Sequence, residues 1–419
     1  MSQIIKNRIE EINSGRVPEG YKQTPFGIFP CDWEIKKLSE VCDIYSGGTP
    51  STSKSEYWDG EIPWCSPTDI TKSKKYITTT ERYITKQGLE NSSAILMPSN
   101  SILMCSRATI GPRCINKVPM ATNQGFKNLI CKNSIDTEYI YYLLDKLVLG
   151  FLKSSNGSTF LELSKSELEK AKYCLPKNDN ERIKIAEILM KWDEMVELQE
   201  QYIKKLEIRK KCLFTKLLNT NFKKLVSLQD LIDNDYVRLI KPKELPIFED
   251  ERLYLSTSSI VQNEIIDNEG YISYTNRPSR AQMYPIANSV WFAKMEKSIK
   301  VYKFNQHQQD KYVLSTGYYG FLCDENEVSS DFLMQVFLSP EFNRMKDLYS
   351  EGSSQNGIKD NNLSDILLSL PSINEQKRIA SILLSADEEI SLQKEKLDKI
   401  KTQRKILQQY LLTGIVRVK

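Results

Sequence analysis

"LPSINEQKRIASILLSADEEI" (Leu370–Ile390) restates, half a chain later, the pattern of "LPKNDNERIKIAEILMKWDEMV" (Leu175–Val196). Both carry Leu-Pro, Asn-Glu, Ile-Ala-x-Ile-Leu and Asp-Glu in the same order. Proline resists incorporation into a helix interior, so each Leu-Pro bars an earlier helix start. Asn180 and Asn374 are then expected N-caps, each followed by a first-turn glutamate. From these starts the apolar positions Ile185, Leu189, Trp192, Val196, Ile203, Leu206, Leu213 and Leu217 recur near every 3.5 residues. Ile379, Leu383, Ala386, Ile390, Leu397, Ile400, Leu407 and Leu411 do the same. That spacing is a coiled-coil seam. Polar residues interrupt it at equivalent places, Gln199 with Gln393 and Lys210 with Arg404. Helices of about 35–38 residues would be rods of roughly 50–57 Å.

Working outward, more of the chain proves doubled. "GSTFLELSKSELEKAKYCLP" from Gly157 answers "GSSQNGIKDNNLSDILLSLP" from Gly352 at an offset of 195, and the helices match at 194. "KLSEVCD" (Lys37–Asp43) answers "SLQDLID" (Ser227–Asp233), and "WCSPTDI" (Trp64–Ile70) answers "YLSTSSI" (Tyr254–Ile260), both at 190. "QGFKNLIC" from Gln124 aligns more loosely with "YGFLCDEN" from Tyr319. A period near 190 is far above the 20 to 50 residues of solenoids. It describes two tandem copies of a domain plus a helix, able to fold with pseudo-two-fold symmetry. A helix that long is too long for one small domain to cover, and pairing with its own duplicate would be antiparallel. The alternative is two amphipathic helices, each packed on its own domain.

The expected organisation is an N-terminal segment (1–32), a first globule (33–178), a central long helix (179–220), a second globule (221–372), and a C-terminal long helix with tail (373–419). Runs such as "KYITTTERYIT", "SVWFAKM" and "KVYKF", broken by Gly, Pro, Asn and Ser, are strand and loop signals. Short helices are expected at Thr137–Leu149 and Ser330–Leu338. The fold class is therefore α+β, with two globular domains in tandem.

Composition sets further bounds. The 419 residues are 40% hydrophobic and 27% charged, an ordinary globular balance. No apolar run approaches a membrane span, and "MSQIIKNRIEEINSG" has no signal-peptide core, so a cytoplasmic location is expected. Nine cysteines without a Cys-x-x-Cys pair argue for buried thiols rather than disulfides or a zinc site. The only histidine, His307, lies among glutamines. "YSGGTPST" (Tyr45–Thr52) lacks the spacing of a P-loop or dinucleotide turn; it is a turn, or a loop whose backbone approaches a phosphate. No catalytic dyad, metal set, paired-carboxylate site or Asn-Pro-Pro-aromatic tetrapeptide is present, so the chain is expected to be non-catalytic.

Net charge is only +4, but it is unevenly placed. Between Asn91 and Ile135 lie Arg107, Arg113, Lys117, Lys127 and Lys132 with no acid; between Gly270 and Gln309 lie Arg277, Arg280, Lys294, Lys297, Lys300 and Lys303 against Glu296. A basic window is often only a solvated face. Two at matching places in a repeat, interleaved with Asn123, Gln124 and aromatics, suit DNA: cations neutralise phosphates, while Arg, Asn and Gln read base edges. Opposing this, residues 222–370 hold 16 basic and 21 acidic residues, so the second DNA face would be local.

A further set of motifs runs in order along the chain: "GYKQTPFGIFPCDWEIKKL" (Gly20–Leu38), "SGGTPS" (Ser46–Ser51), "WDGEIPW" (Trp58–Trp64), "SRATIG" (Ser106–Gly111), "ATNQGF" (Ala121–Phe126), "NGST" (Asn156–Thr159), the two helix starts and "LLTG" (Leu411–Gly414). In these the chain resembles the specificity subunit of a type I restriction–modification enzyme. The second globule fits more loosely: "SVWFAKMEKSIKVYKF" replaces "SILMCSRATIGPRCI", and the Asn-Gln of "ATNQGF" is missing. The resemblance implies two target recognition domains reading different halves of a bipartite double-stranded DNA target, set apart by the paired helices. It implies two modification subunits that hold S-adenosylmethionine and methylate adenine, and two restriction subunits that use ATP and Mg; this chain would bind no cofactor, metal or membrane. The first segment and the tail after Leu412 would meet near the helices.

Expected DNA-binding residues are Thr49, Arg107, Arg113, Lys117, Asn123, Gln124 and Lys127 in the first globule, and Arg277, Arg280, Lys294, Lys297 and Lys300 in the second. The expected seam is Leu189, Trp192, Val196, Ile203, Leu206 and Leu213 against Leu383, Ala386, Ile390, Leu397, Ile400 and Leu407. The rival readings are an interaction scaffold that never touches DNA and a stand-alone DNA-modifying enzyme.

Overall fold

Short β-branched runs between breakers cannot bury themselves alone, so they pair into several small sheets. The computed structural model describes residues 3–154, 162–219, 225–350 and 357–418. The Asn156–Thr159 motif and the glycines Gly157 and Gly352 lie outside the described residues. The chain divides into two compact units, Met1–Leu198 with Asp398–Lys419, and Gln199–Leu397. The limits expected from sequence stopped at the helices; the units instead divide both long helices, because each half packs on a different globule.

The first unit holds helices α1 (Gln3–Asn13) and α2 (Thr137–Ser154) and the first half of α3 (Asp179–Asn219). Apart from the hairpin Tyr21–Thr24 with Gly27–Pro30, its strands are β1 (Trp33–Lys37), β2 (Cys42–Ser46), β3 (Trp58–Cys65), β4 (Tyr76–Ile77), β5 (Arg82–Ile84), β6 (Ile102–Cys105), β7 (Arg113–Asn116), β8 (Ala121–Thr122), β9 (Phe126–Cys131) and β10 (Lys172–Pro176). They form a sheet of order β2-β9-β6-β7-β4, a second of order β8-β3-β5, and the pair β1–β10. Trp33, Leu38, Ile44, Tyr139, Leu143, Ile185, Leu189 and Leu411 share its main core.

The second unit repeats this plan. Apart from the hairpin Ile260–Val261 with Glu264–Ile265, its strands are β11 (Leu225–Ser227), β12 (Val237–Ile240), β13 (Arg252–Leu255), β14 (Tyr271–Ile272), β15 (Ala281–Met283), β16 (Val290–Ala293), β17 (Val301–Lys303), β18 (Tyr312–Ser315), β19 (Tyr318–Cys323) and β20 (Leu367–Ser369). Besides the second half of α3 and the short helix Leu228–Asp233, its helices are α4 (Ser330–Leu338), α5 (Pro340–Leu348) and the larger part of α6 (Ile373–Leu411), whose end belongs to the first unit. The order β12-β19-β16-β17 reproduces β2-β9-β6-β7, and β18-β13-β14 reproduces β8-β3-β5 with β15 added beside β18. Both copies keep the parallel pair of the second sheet, β8 on β3 and β18 on β13, and the first has a further parallel pair, β4 on β7. Phe292, Phe321, Phe337 and Phe342 centre its main core, against Ile379 and Leu383 of α6.

Several expectations need correction. Asn178, not Asn180, caps α3: its Oδ1 accepts from the Asn180 amide at 2.9 Å, and its carbonyl accepts the Glu181 amide at 3.2 Å. In α6 the Ser372 carbonyl accepts the Gln376 amide at 2.9 Å, so Asn374 is already helical. A proline restricts the residue before it, not the second residue after it, so both helices begin sooner than expected. They are also longer, 41 and 39 residues. Helix α2 continues past Leu149 to Ser154, because Phe151 packs against the core and outweighs the cost of Gly150.

The long helices pair antiparallel within each unit. In the first, Arg404 Nε donates to Asp193 at 2.7 Å. In the second, Lys210 Nζ donates to both carboxylate oxygens of Asp387, at 2.6 and 2.7 Å. Offset by 194, these are one interaction made twice. Gln199 Nε2 donates to Oε1 of Gln393, its own counterpart, at 2.9 Å. Of the polar residues that break the seam, Gln199 and Gln393 satisfy one another while Arg404 and Lys210 are satisfied by the aspartates, and these contacts pin its register. All twelve seam residues are buried or half-buried, with Ile203, Leu206, Ile390 and Leu397 forming one cluster. The same aspartates also hold the globules: the Tyr142 hydroxyl of α2 donates to Asp193 at 2.5 Å, and Gln335 Nε2 of α4 donates to Asp387 at 2.8 Å.

In the first unit the N-terminal segment meets the tail: the Tyr21 hydroxyl donates to the Gly414 carbonyl at 2.6 Å, and Arg417 bridges Asp32 and Glu181. Six of the nine cysteines are buried, and burial pushes the thiols of Cys105 and Cys114 up to about 11 and about 12. Among the described residues, no helix is long and apolar enough to cross a membrane.

Two outcomes follow. Leu206→Asp buries an unpartnered carboxylate and should lower stability by about 3–5 kcal/mol in denaturant unfolding. Ile208→Asp, on an exposed position of the same helix, should cost about 1 kcal/mol or less. Burial also pushes Lys146 down to about 8. Unfolded lysine keeps its proton to higher pH, so between pH 8 and the ordinary lysine range the unfolded chain binds more protons and stability rises with pH. Melting curves of Lys146→Met across that window should lose this rise.

Candidate nucleic-acid interface

In the first unit three loops converge. The Gly47 amide donates to the Phe126 carbonyl at 3.3 Å and the Gly48 amide to the Thr122 carbonyl at 2.9 Å. A Cβ on Gly47 would lie 1.9 Å from the Asn123 carbonyl, which explains the paired glycines of "SGGTPS". Thr49 Oγ1 donates to Gln124 Oε1 across the contact. Asn123 Oδ1 accepts the Gly125 amide at 2.9 Å, closing a turn. The third loop follows β6: the Ser106 amide donates to the Gly125 carbonyl at 2.8 Å, and the Ser106 carbonyl accepts the Leu163 amide at 2.8 Å. Next in sequence, Arg107 is exposed, 3.9 Å from Glu162, and Ala108 adopts φ +62°. Non-glycine residues held there cost free energy and concentrate at functional loops.

The second unit builds the same junction from different side chains. The Lys294 amide donates to the Gly317 carbonyl at 2.9 Å, and the Lys294 carbonyl accepts the Ile358 amide at 3.0 Å. Ser315 Oγ accepts the Gly317 amide at 3.2 Å, as Asn123 does for Gly125. Lys294–Met295 thus stand where the first unit has Ser106–Arg107, and Ser315–Thr316 where it has Asn123–Gln124. The Lys294 ammonium lies 3.9 Å from the Tyr319 ring centre, and its pKa is lowered by burial against an opposing pull from Asp360. Lys300 Nζ donates to the Thr257 carbonyl, and burial lowers its pKa too. The Arg280 carbonyl accepts the Thr316 amide at 2.9 Å, which sets exposed Arg280 beside the turn.

Of the residues expected from sequence, Thr49, Arg107, Asn123 and Gln124 are brought together in the first unit, and Arg280, Lys294 and Lys300 in the second. Lys297 is exposed on the loop after β16, with φ +55° and Glu296 at 3.0 Å. Arg277 stacks 4.0 Å from the Tyr274 ring centre. Lys117 is exposed over Tyr76, away from the three loops. Two placements are corrections. Arg113 is half-buried, with its side chain only 7% exposed: its guanidinium donates to the carbonyls of Tyr141 and Gly111 and to Asp145 at 2.6 Å, which ties β7 to α2. Lys127 is buried within β9, at 6% exposure.

Ser315 and Thr316 escaped sequence reading because the loose match of Gln124 with Tyr319 was three residues out of register. Strand pairing sets Phe126 opposite Cys105 and Tyr318 opposite Ala293, an offset of 192. The available signal was a small polar pair before Gly-aromatic, "NQGF" and "STGY". Among the described residues, no group of three or more His, Cys, Asp or Glu could hold a metal ion.

The molecule is a duplicated α+β protein with one polar loop junction per copy. Residues 30–208 and 253–402 match the type I restriction modification DNA specificity domain, and the chain belongs to that family. The MjaIX specificity subunit of Methanocaldococcus jannaschii is 41% identical over 180 residues, 42% of this chain and 41% of that one. The EcoR124I/EcoR124II specificity subunit of Escherichia coli is 34% identical over 186 residues, 42% of this chain and 45% of that one. These matches span less than half of either relative. The MjaVIII specificity subunit of the same archaeon is 24% identical over 431 residues, covering 96% of this chain and 97% of that one. A solved chain from work on assembly and conformational transition of the type I R-M system shares the fold, with a TM-score of 0.60, 14% identity, and coverage of 93% of this chain and 99% of that one.

Arg113→Met should lower thermal stability, by about 1–3 kcal/mol, whereas Lys117→Met should leave the melting temperature nearly unchanged. Comparable losses for both would contradict the burial of Arg113.

Proposed function

We propose that this chain is the DNA-reading subunit of a type I restriction–modification assembly, with each globule recognising one half of a bipartite double-stranded target. The observation that carries this is the junction built twice on one backbone plan with different side chains. Conserved hydrogen bonding positions the loops, while Asn-Gln against Ser-Thr and Arg against Met alter the base edges they suit. The paired helices would set the gap between half-sites; each, at ~60 Å, exceeds the ~34 Å of one DNA turn.

Catalysis would belong to partners: two modification subunits carrying S-adenosylmethionine and two restriction subunits using ATP and Mg. Leu198 and Leu392, the same position in the two copies, are 58% and 62% exposed on the long helices and are apolar enough to take partner surface. The chain itself would turn over neither S-adenosylmethionine nor DNA.

The test is methylation mapping with the complex reconstituted from full-length subunits. Replacing residues 33–178 by those of a relative should change one half of the target and preserve the other half and the gap. Contiguous targets, or loss of both halves, would refute the assignment.

A further inference from the structure

In the first unit the guanidinium at the junction is carried by Arg107, whose Cβ lies 3.9 Å from where a Cβ on Gly125 would stand. In the second unit the equivalent position is Met295: Arg107 bridges to Glu162 and Met295 bridges to Gly357 in the same way. By simple equivalence the second junction has lost its arginine. The edge strand β15, whose place beside β8 in the first unit is taken only by the single antiparallel bridge Met97–Met120, supplies one from another part of the chain. Arg280 immediately precedes β15, and its carbonyl accepts two amides, Thr316 at 2.9 Å and Gln282 at 3.0 Å. That double acceptance holds the Arg280 backbone against the Ser315–Gly317 turn while the side chain is exposed.

We propose that Arg107 and Arg280 are functional counterparts, each a specificity-determining arginine that reads a guanine edge in its own half-site. This deepens the assignment above and rests on it. Three observations favour a base edge over a phosphate. The arginine backbone is anchored on both sides of the junction: the Arg107 carbonyl accepts the Thr109 amide at 2.7 Å, beside the bridge to Glu162. Each arginine adjoins a turn of short amides or hydroxyls, Asn123–Gln124 or Ser315–Thr316, which donate to and accept from base edges. Of the ammoniums, Lys117 and Lys297 lie outside the turn, while Lys294 and Lys300 at the second junction are turned onto the Tyr319 ring and the Thr257 carbonyl. A guanidinium fork fits the O6 and N7 acceptors of guanine as a pair, whereas an ammonium does not.

The experiment is selection of bound duplexes from a randomised library by the full-length chain with its co-expressed partner subunits, for wild type, Arg107→Ala, Arg280→Ala and Arg280→Lys. Wild type should select a bipartite sequence; if it does not, the functional assignment fails before this inference is reached. Arg280→Ala should lose preference at a guanine position in one half only, with about 10–100-fold weaker binding to the wild-type target. Arg107→Ala should do the same in the other half. Arg280→Lys, which keeps the charge, should not restore the preference, and its melting temperature reports folding independently. Three results would overturn the proposal: unchanged preferences in Arg280→Ala, a uniform loss across all sequences with a salt dependence shallower by about one ion, or both arginines acting on the same half.

Discussion

Everything distinctive in this molecule depends on the half-buried aspartates Asp193 and Asp387. Each accepts a cation from the partner helix, Arg404 or Lys210, and a neutral donor from the globule, Tyr142 or Gln335. A carboxylate removed from water needs its oxygens satisfied, and here helix and globule satisfy them together. One residue therefore sets helix register and globule attachment at once, in both copies. Apolar seams alone tolerate slippage, whereas a polar pair at one position admits one alignment. The Gln199–Gln393 hydrogen bond, between two copies of the same residue, adds a second such point.

Around this frame, the side chains that hold the sheets and those exposed at the loop junctions separate by depth. The sheets are held by backbone pairing and apolar side chains, so their order survives extensive sequence change between copies. The loop junction is likewise held by main-chain groups: Ser106 or Lys294 to a glycine carbonyl, and a side-chain oxygen to that glycine's amide. Because the scaffold needs little from side chains there, they are free to differ. The proposed recognition of two unlike half-sites would need that freedom, and the exposed Arg280 beside β15 is one side chain that differs in this way.

Basic residues illustrate how charge counts mislead. Arg113 and Arg107 lie six residues apart in one basic window, yet one is enclosed by two carbonyls and Asp145 while the other is exposed. Lys127 occupies a strand position facing inward, and Lys294 folds its ammonium onto Tyr319. A sequence window records how many charges are present; burial decides how many face solvent.

The amino-acid sequence by itself determined the duplication, the two long helices, their seam and its matched polar breaks, because helical periodicity and Leu-Pro boundaries are local properties written along one chain. It also placed Thr49, Arg107, Asn123 and Gln124 in motifs that prove adjacent in space. The cap residues, the three-residue shift that aligns Asn123–Gln124 with Ser315–Thr316, and the approach of Arg280 to a turn 36 residues away were decided only by tertiary structure. Those features depend on which strands pair and in what register. Pairing partners distant in sequence are selected by burial of whole sheets, and no local pattern encodes that selection.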